Sequence, residues 1–344
     1  METPTKAVQT LAVAEDEADL RLDRWFKRHF PEVGHGLLER LLRTGQIRVA
    51  GKRAKSNQRL ESGQSIRVPP LGDPAPAGAR PQPARSSFRV SDADARALLD
   101  AVLYKDDDVL VLNKPAGLAV QGGTSLERHL DGMLDVLTLG APERPRLVHR
   151  LDKDTSGVLL LGRSATAAAR LAAAFRSRAA RKCYWALVVG VPRYPEGRID
   201  APLAKMAGRL PGHKGGDKVA VDEEEGLHAV TYYRIVDRAL KKAAWLELEP
   251  RTGRTHQLRA HCALLGNPIQ GDGKYGGQEA YLAGQGVSRK LHLHARAIKV
   301  PHPRGGLIRV IAPLPPHMEA SFDFFGFDPA AAGEPFEAFA EEAP

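Results

Sequence analysis

The sequence predicts an α+β protein of two folded parts: a small basic α/β domain, and a larger one on a mixed, mainly antiparallel sheet with flanking helices. Three observations carry this. Residues 17–69 hold two stretches of helical apolar spacing and then short alternating strands. Residues 70–87 are rich in Pro, Gly and Ala and bury too little apolar surface to offset their ordering entropy, so they read as a linker. Residues 88–313 mix alternating strands with few helices, without the strand–helix succession of a doubly wound sheet.

In the first part, Leu22, Trp25, Phe26 and Phe30 recur at helical spacing, and so do Leu37, Leu38, Leu41 and Leu42. Pro31 and Gly34-His35-Gly36 separate these helices. Gly45 ends the second; Ile47 and Val49 then alternate into a turn at Gly51, and Ile66 and Val68 make a further strand after Gly63. From Glu17 to Pro69 there are twelve Lys or Arg against six Asp or Glu. Arg40, Arg43, Arg48, Lys52, Arg53 and Lys55 gather on the second helix and the turn after it, a basic edge suited to RNA backbone.

In the second part, Val109–Leu112 reads as a strand entering Asn113-Lys114-Pro115-Ala116-Gly117. Ala165–Ala179 is an Ala-rich helix with Leu171 and Phe175 on one side. Tyr184–Val189, Val230–Ile235, Trp245–Leu248 and Leu291–Val300 read as strands. The tail, residues 314–344, holds seven acidic residues, six Phe and no Lys or Arg; a docked helix and a loose tail fit it equally.

The formal charge is +9, and because the tail is acidic the first 312 residues carry +16. So basic a body suggests a polyanionic partner, with nucleic acid ahead of membrane because no amphipathic anchor is evident. No apolar run approaches the 18 or so residues of a membrane span. The first residues lack a signal-peptide pattern, and Cys183 and Cys262 cannot make a disulfide framework. A reduced, cytoplasmic protein is expected, monomeric and away from membranes.

Two segments concentrate reactive side chains. The first, His149-Arg150-Leu151-Asp152-Lys153-Asp154-Thr155-Ser156-Gly157, is a polar turn between Val148 and the apolar run Val158–Leu161. A polar loop held by buried flanks leaves a side chain both exposed and rigid. Asp152 is the leading candidate carboxylate and Asp154 its rival; taken alone, the segment reads first as a turn whose side chains cap backbone amides. The second runs from Arg251-Thr252-Gly253-Arg254-Thr255-His256-Gln257-Leu258-Arg259 through His261 to Gly271-Asp272-Gly273-Lys274-Tyr275-Gly276. No GxxxxGK[ST] exists, and His256 and His261 are five apart with no HExxH, so neither a nucleotide, a metal nor any other cofactor is expected.

Together, the block His149–Gly157, Arg181-Lys182-x-Tyr184 and Thr252–Gln257 resemble the RluA-type pseudouridine synthases, with Asn113–Gly117 upstream and His292-Leu293-His294-Ala295 downstream in the same order. The turn Gln121-Gly122-Gly123 and Lys182-Cys183-Tyr184 add a likeness to the members acting on large-subunit ribosomal RNA. Residues 17–69 resemble the S4 RNA-binding domain in Arg21-Leu22-Asp23 and Gly45–Lys52, departing from it at Ala50 and at Gly34–Gly36. The resemblance implies that Asp152 is the catalytic carboxylate, either attacking C1′ or removing a C2′ proton. It implies that Arg254 is the guanidinium beside it and that Tyr184 packs on the uracil face, with a part in removing the C5 proton. Arg150 then enters the RNA helix at the flipped nucleotide, Leu258 walls the base, and Lys182 joins the RNA-binding set. The implied partner is large-subunit ribosomal RNA, naked or in a pre-ribosomal particle.

His256 reads as a polar strut and His292 and His294 as structural. Lys205, Arg209, Lys214 and Lys218, in a Gly-rich insertion, read either as the RNA side of the cleft or as a solvated loop. Three other functions compete: an RNA-binding ribosome-assembly factor without catalysis, a pseudouridine synthase acting on tRNA, and a glycosidase or nucleoside hydrolase. The last would need a second acid, and no other carboxylate matches the claim of Asp152.

Overall fold

The structure, a computed structural model, describes residues 8–71, 90–122, 128–206, 218–282 and 287–339. The expected linker and the insertion residues Arg209 and Lys214 therefore lie outside the described residues, apart from the linker's first two. The chain divides between Ala84 and Arg85 into two compact units.

The first unit comprises β1 (Gln9–Ala12), α1 (Leu22–His29), α2 (His35–Arg43), β2 (Arg48–Val49), β3 (Lys52–Arg53) and β4 (Ser65–Val68). Its four-stranded antiparallel sheet has the order β1-β4-β2-β3. The opening strand precedes the expected start at residue 17 and pairs Gln9 with Val68. Trp25, Phe26, Leu38, Leu41, Ile47 and Ile66 form the core, from the helical stripes and alternating strands expected of them. Arg40, Arg43, Arg48, Lys52 and Arg53 are all exposed.

The second unit runs in order through α3 (Asp92–Asp100), β5 (Val102–Lys105), β6 (Val109–Lys114), α4 (Leu130–Met133), β7 (Arg146–Leu147) and β8 (Ser156–Gly162). Next come α5 (Ala165–Arg176), β9 (Arg181–Val189), β10 (Glu196–Asp200), β11 (Leu203–Lys205), β12 (Val219–Val221), β13 (Val230–Ala239) and β14 (Ala243–Pro250). The last are α6 (Gln257–Leu264), α7 (Gly273–Gly276), β15 (Leu293–Pro301), β16 (Leu307–Ile311) and α8 (Pro316–Phe325). The large sheet has the order β10-β13-β14-β9-β15-β8-β6-β5, with β16 against β15 and β7 against β8. Every pairing in it is antiparallel except β15 with β8, so the mixed, mainly antiparallel sheet is the one found. All seven residues of β8 are buried, as a central strand covered on both faces requires.

That parallel pair fixes the end of the His149–Gly157 loop. Gly157 lies opposite Ala295 with φ +109°, and a Cβ there would stand 2.2 Å from the Ala295 carbonyl oxygen, so only glycine fits. Beside it, the Ser156 hydroxyl and His294 Nδ1 share a hydrogen bond of 2.9 Å.

The acidic segment after Pro313 contains a docked helix. Phe322 on α8 is buried, 4.9 Å from Trp245 and 6.3 Å from Trp185 between ring centroids. The Arg181 guanidinium donates to the carbonyls of Phe336 and Phe339 at 3.1 Å each. Phe322, Phe327 and Phe336 thus complete a core that β9 and β14 leave open, and the acidic side chains take no part in it.

Burial holds three histidines neutral. It pushes His149 and His294 down to about 3 and His292 to about 4. In the unfolded chain each protonates near 6.5, so below that pH the unfolded state binds more protons than the folded one. Stability is then full above pH 6.5 and lost as pH falls toward 3 to 4, by up to about 1.4 kcal/mol per pH unit for each histidine. Urea unfolding at pH 7, 6 and 5 should show this decline. A His294→Gln variant should show a slope smaller by one proton; an unchanged slope would remove His294 from the account.

Candidate active site

The loop carrying Asp152 is pinned from below by a side chain that the sequence analysis left without a role. Lys114, at the end of β6, is 1% exposed, and its Nζ donates to the carbonyls of Pro115 (2.8 Å), Leu118 (2.9 Å) and Lys153 (3.0 Å). Burial brings this ammonium down to about 7, with Asp154 and Asp152 acting the other way. The Gly117 amide also donates to the Lys153 carbonyl at 2.9 Å. Three carbonyls on one buried cation fix the loop on which Asp152 stands. At its start, His149 stacks on Phe175 at 4.4 Å and accepts a hydrogen bond from the Leu160 amide.

Opposite lies the turn from β14 into α6. Gln257 ties it: its Oε1 accepts from the Thr252 hydroxyl (2.7 Å) and the Arg254 amide (3.0 Å), while its Nε2 donates to the Val230 carbonyl (2.9 Å). His256 then takes a left-handed conformation, φ +52°, just before the helix begins. This reversal points His256 and, three residues on, Arg259 toward one spot. His256 Nε2 is 3.7 Å and Arg259 Nη1 3.8 Å from Asp152 Oδ2.

This corrects the expectation for Arg254. Its Nε donates to the His228 carbonyl at 3.0 Å, and it makes no ion pair with Asp152 among the described residues. Both arginines lie in one basic run, but Arg254 falls in the turn before the left-handed residue and Arg259 on the helix after it. Arg259 is itself held by Asp272 through two bonds of 2.7 Å. Burial opposes the Arg259 charge, but the hydrogen bonds and charge of Asp272 outweigh it and hold the guanidinium above its usual range. Tyr275 closes the network: its ring lies 5.1 Å from the Arg259 guanidinium, and its hydroxyl meets His256 Nδ1 (2.9 Å) and the Val219 amide (3.0 Å). His256 lies between Tyr275 and the carboxylate.

Asp152 stands between two clefts of about 620 and 940 Å³ that share Arg150, Leu151, His256 and Arg259. In the smaller, Tyr184, Leu258 and Leu293 form an apolar wall, and Asp152 is its only carboxylate among the described residues. Burial, then the nearby Asp152 charge, pushes the Tyr184 phenol well up, so it stays protonated at neutral pH. Arg150 is exposed at the rim of both clefts. Lys182 lines the same cleft as Tyr184. Lys218, from the insertion, reaches the network by lying 5.6 Å from the Tyr275 ring, and Lys205 is exposed on β11. Lys114, Asp272 and Tyr275 stand within the quoted motifs without a role there: the Lys114 bond to Lys153 spans 39 residues, the Asp272 pair with Arg259 13 and the Tyr275 bond to His256 19, and no local pattern signals them.

Residues 108–264 match the family model described as RNA pseudouridylate synthase. With relatives above 30% identity over nine-tenths of its length, the chain belongs to the RNA pseudouridylate synthase family. The ribosomal large subunit pseudouridine synthase C of Salmonella typhi is 37% identical, across 91% of this chain and 95% of that protein. The mitochondrial RNA pseudouridine synthase 4 of Arabidopsis thaliana is 34% identical, across 87% of this chain and 78% of that one. Among solved structures, human RNA pseudouridylate synthase domain containing 4 is 30% identical with a TM-score of 0.56, covering 67% of this chain and 95% of that one.

Proposed function

We propose that this enzyme converts uridines of large-subunit ribosomal RNA to pseudouridine, with Asp152 as the catalytic carboxylate. The observation that carries the reading is a carboxylate, the only one among the described residues of a basic cleft with an apolar wall, 3.8 Å from a buried guanidinium. Pseudouridine formation breaks N1–C1′, rotates the uracil, joins C5 to C1′ and loses the C5 proton. It imports no group and needs no redox step, so one oriented carboxylate suffices, as nucleophile at C1′ or as base at C2′. Tyr184 and Leu258 supply the wall against which the base lies, and Arg259 fixes the direction of the carboxylate. A hydrolase would need a second carboxylate and a path for water, and this cleft offers no second carboxylate among the described residues.

A stacked uridine is out of reach, so it must be extruded at a cost of a few kcal/mol, offset by phosphate contacts. Arg150, exposed beside the carboxylate, is suited to fill the space left in the RNA. The relatives named for the large ribosomal subunit support that RNA as substrate. Tritium release from large-subunit ribosomal RNA made with 5-tritiated uridine tests the reading. Release is expected from that RNA; release from tRNA alone would redirect the substrate, and free uracil as product would make the enzyme a hydrolase.

The first unit fits an S4-like RNA reader. Arg40, Arg43, Lys52 and Arg53 make no ion pair among the described residues, and Arg48 donates only to the Gly45 and Gly51 carbonyls. Removing residues 1–84 should raise KM on ribosomal RNA at least tenfold while kcat changes little, because docking and chemistry reside in different units. An unchanged KM would end the docking role of this unit.

A further inference from the structure

We propose that Lys182 and His149 form a phosphodiester subsite, gripping an RNA backbone phosphate next to the uridine presented to Asp152. The inference rests on RNA being the substrate and adds which chemical group these two residues take. Alternation along β9 puts Lys182 on the same face as Tyr184, about 7 Å away along the strand. Arg181, on the opposite face, is tied to Glu249 at 2.8 Å. Lys182 has no such tie. It is partly buried in the cleft, yet it makes no hydrogen bond or ion pair with its side chain among the described residues. The acid that acts on it at a distance, Glu249, is engaged with Arg181 and Arg251.

His149 supplies a second donor. Its Nε2 accepts from the Leu160 amide at 2.9 Å, so in the neutral ring that burial enforces the proton sits on Nδ1. That N–H has no acceptor among the described residues, and Nδ1 is not among the sealed atoms that lack a partner. Two donors of the same cleft thus lack an acceptor among the described residues, and together they carry one positive charge. An enclosed ammonium without a counter-ion costs free energy, and a single phosphodiester monoanion supplies both the charge and the oxygens. A uracil carbonyl would supply an acceptor but no charge. The approach is basic too: Arg176 and Arg178, at the end of α5 and beyond, line the cleft exposed and without an ion pair among the described residues.

The test measures binding and turnover of large-subunit ribosomal RNA by the full-length protein at several salt concentrations, for wild type, Lys182→Met and Lys182→Arg. Lys182→Met is expected to raise Kd and KM about tenfold with kcat within twofold, and to lower the slope of log affinity against log salt by about 0.7, the value of one single-stranded phosphate. Lys182→Arg should keep most of the affinity and the slope. Because it removes an enclosed, unpaired charge, Lys182→Met should fold and melt no lower than wild type. A wild type that neither binds nor converts the RNA overturns the substrate reading and the subsite with it. A wild type that does both, beside a Lys182→Met with unchanged slope or with lowered kcat alone, overturns the subsite only.

Discussion

Asp152→Asn should abolish tritium release from 5-tritiated ribosomal RNA, with kcat lowered by about 10⁴-fold or more, the scale on which removing a nucleophile acts. The amide keeps the shape of the side chain and can still accept a hydrogen bond. It can neither attack C1′ nor take a proton from C2′, so both routes open to Asp152 close together. The loop itself should survive, because Lys114 holds it through backbone carbonyls rather than through the Asp152 side chain. RNA affinity should therefore change less than tenfold and, with one negative charge removed, in the direction of tighter binding. Asp154→Asn is the matched control: Asp154 is exposed and absent from the lining of the smaller cleft. Should Asp152→Asn retain more than about 1% of kcat while Asp154→Asn loses it, the chemistry belongs to the rival carboxylate.

The second large effect is expected at Arg259, and it is double. Arg259→Met leaves Asp272, 1% exposed, as a buried carboxylate without its partner, a loss of about 3–5 kcal/mol in stability. It also removes the guanidinium 3.8 Å from Asp152, for which a kcat loss of about 10²–10³-fold is expected, typical of one oriented electrostatic group. The two effects separate in the pair Arg259→Met with Asp272→Leu. Replacing both buried charges by apolar groups should restore much of the melting temperature and none of the turnover. Arg254→Met should move kcat by less than tenfold, since among the described residues that side chain bonds only the His228 carbonyl. Recovery of activity in the apolar pair, or a larger kcat loss at Arg254 than at Arg259, would reverse this assignment.

Much of this site was legible because it is local. The loop His149–Gly157 announces itself as a polar run between apolar ones, and period-two alternation marks β9, which carries Tyr184 and Lys182 on one face. Arg259 was not legible. It shares a nine-residue run with Arg254, and the left-handed turn at His256, beside a Gln257 tied to Val230 and Thr231, decides which guanidinium reaches the carboxylate. Gly157 is a similar case: its glycine requirement comes from Ala295, 138 residues away, across a parallel pairing that no local pattern contains.

The sequence by itself determined the two-part α+β architecture, the basic character of the body, the family and the polar loop that carries Asp152. The architecture, the charge and the loop are set by composition or by neighbours within a turn or strand, and the family by the resemblance of motifs that recur in the same order along the chain. Only the tertiary structure decided that Lys114 anchors the loop from inside the core, that Arg259 and Asp272 stand behind Asp152, and that the acidic tail packs Phe322 and Phe327 against the tryptophans of β9 and β14. The reason is physical. A buried charge is tolerable only where the fold brings it hydrogen-bond partners, and those partners come from segments far apart in the chain.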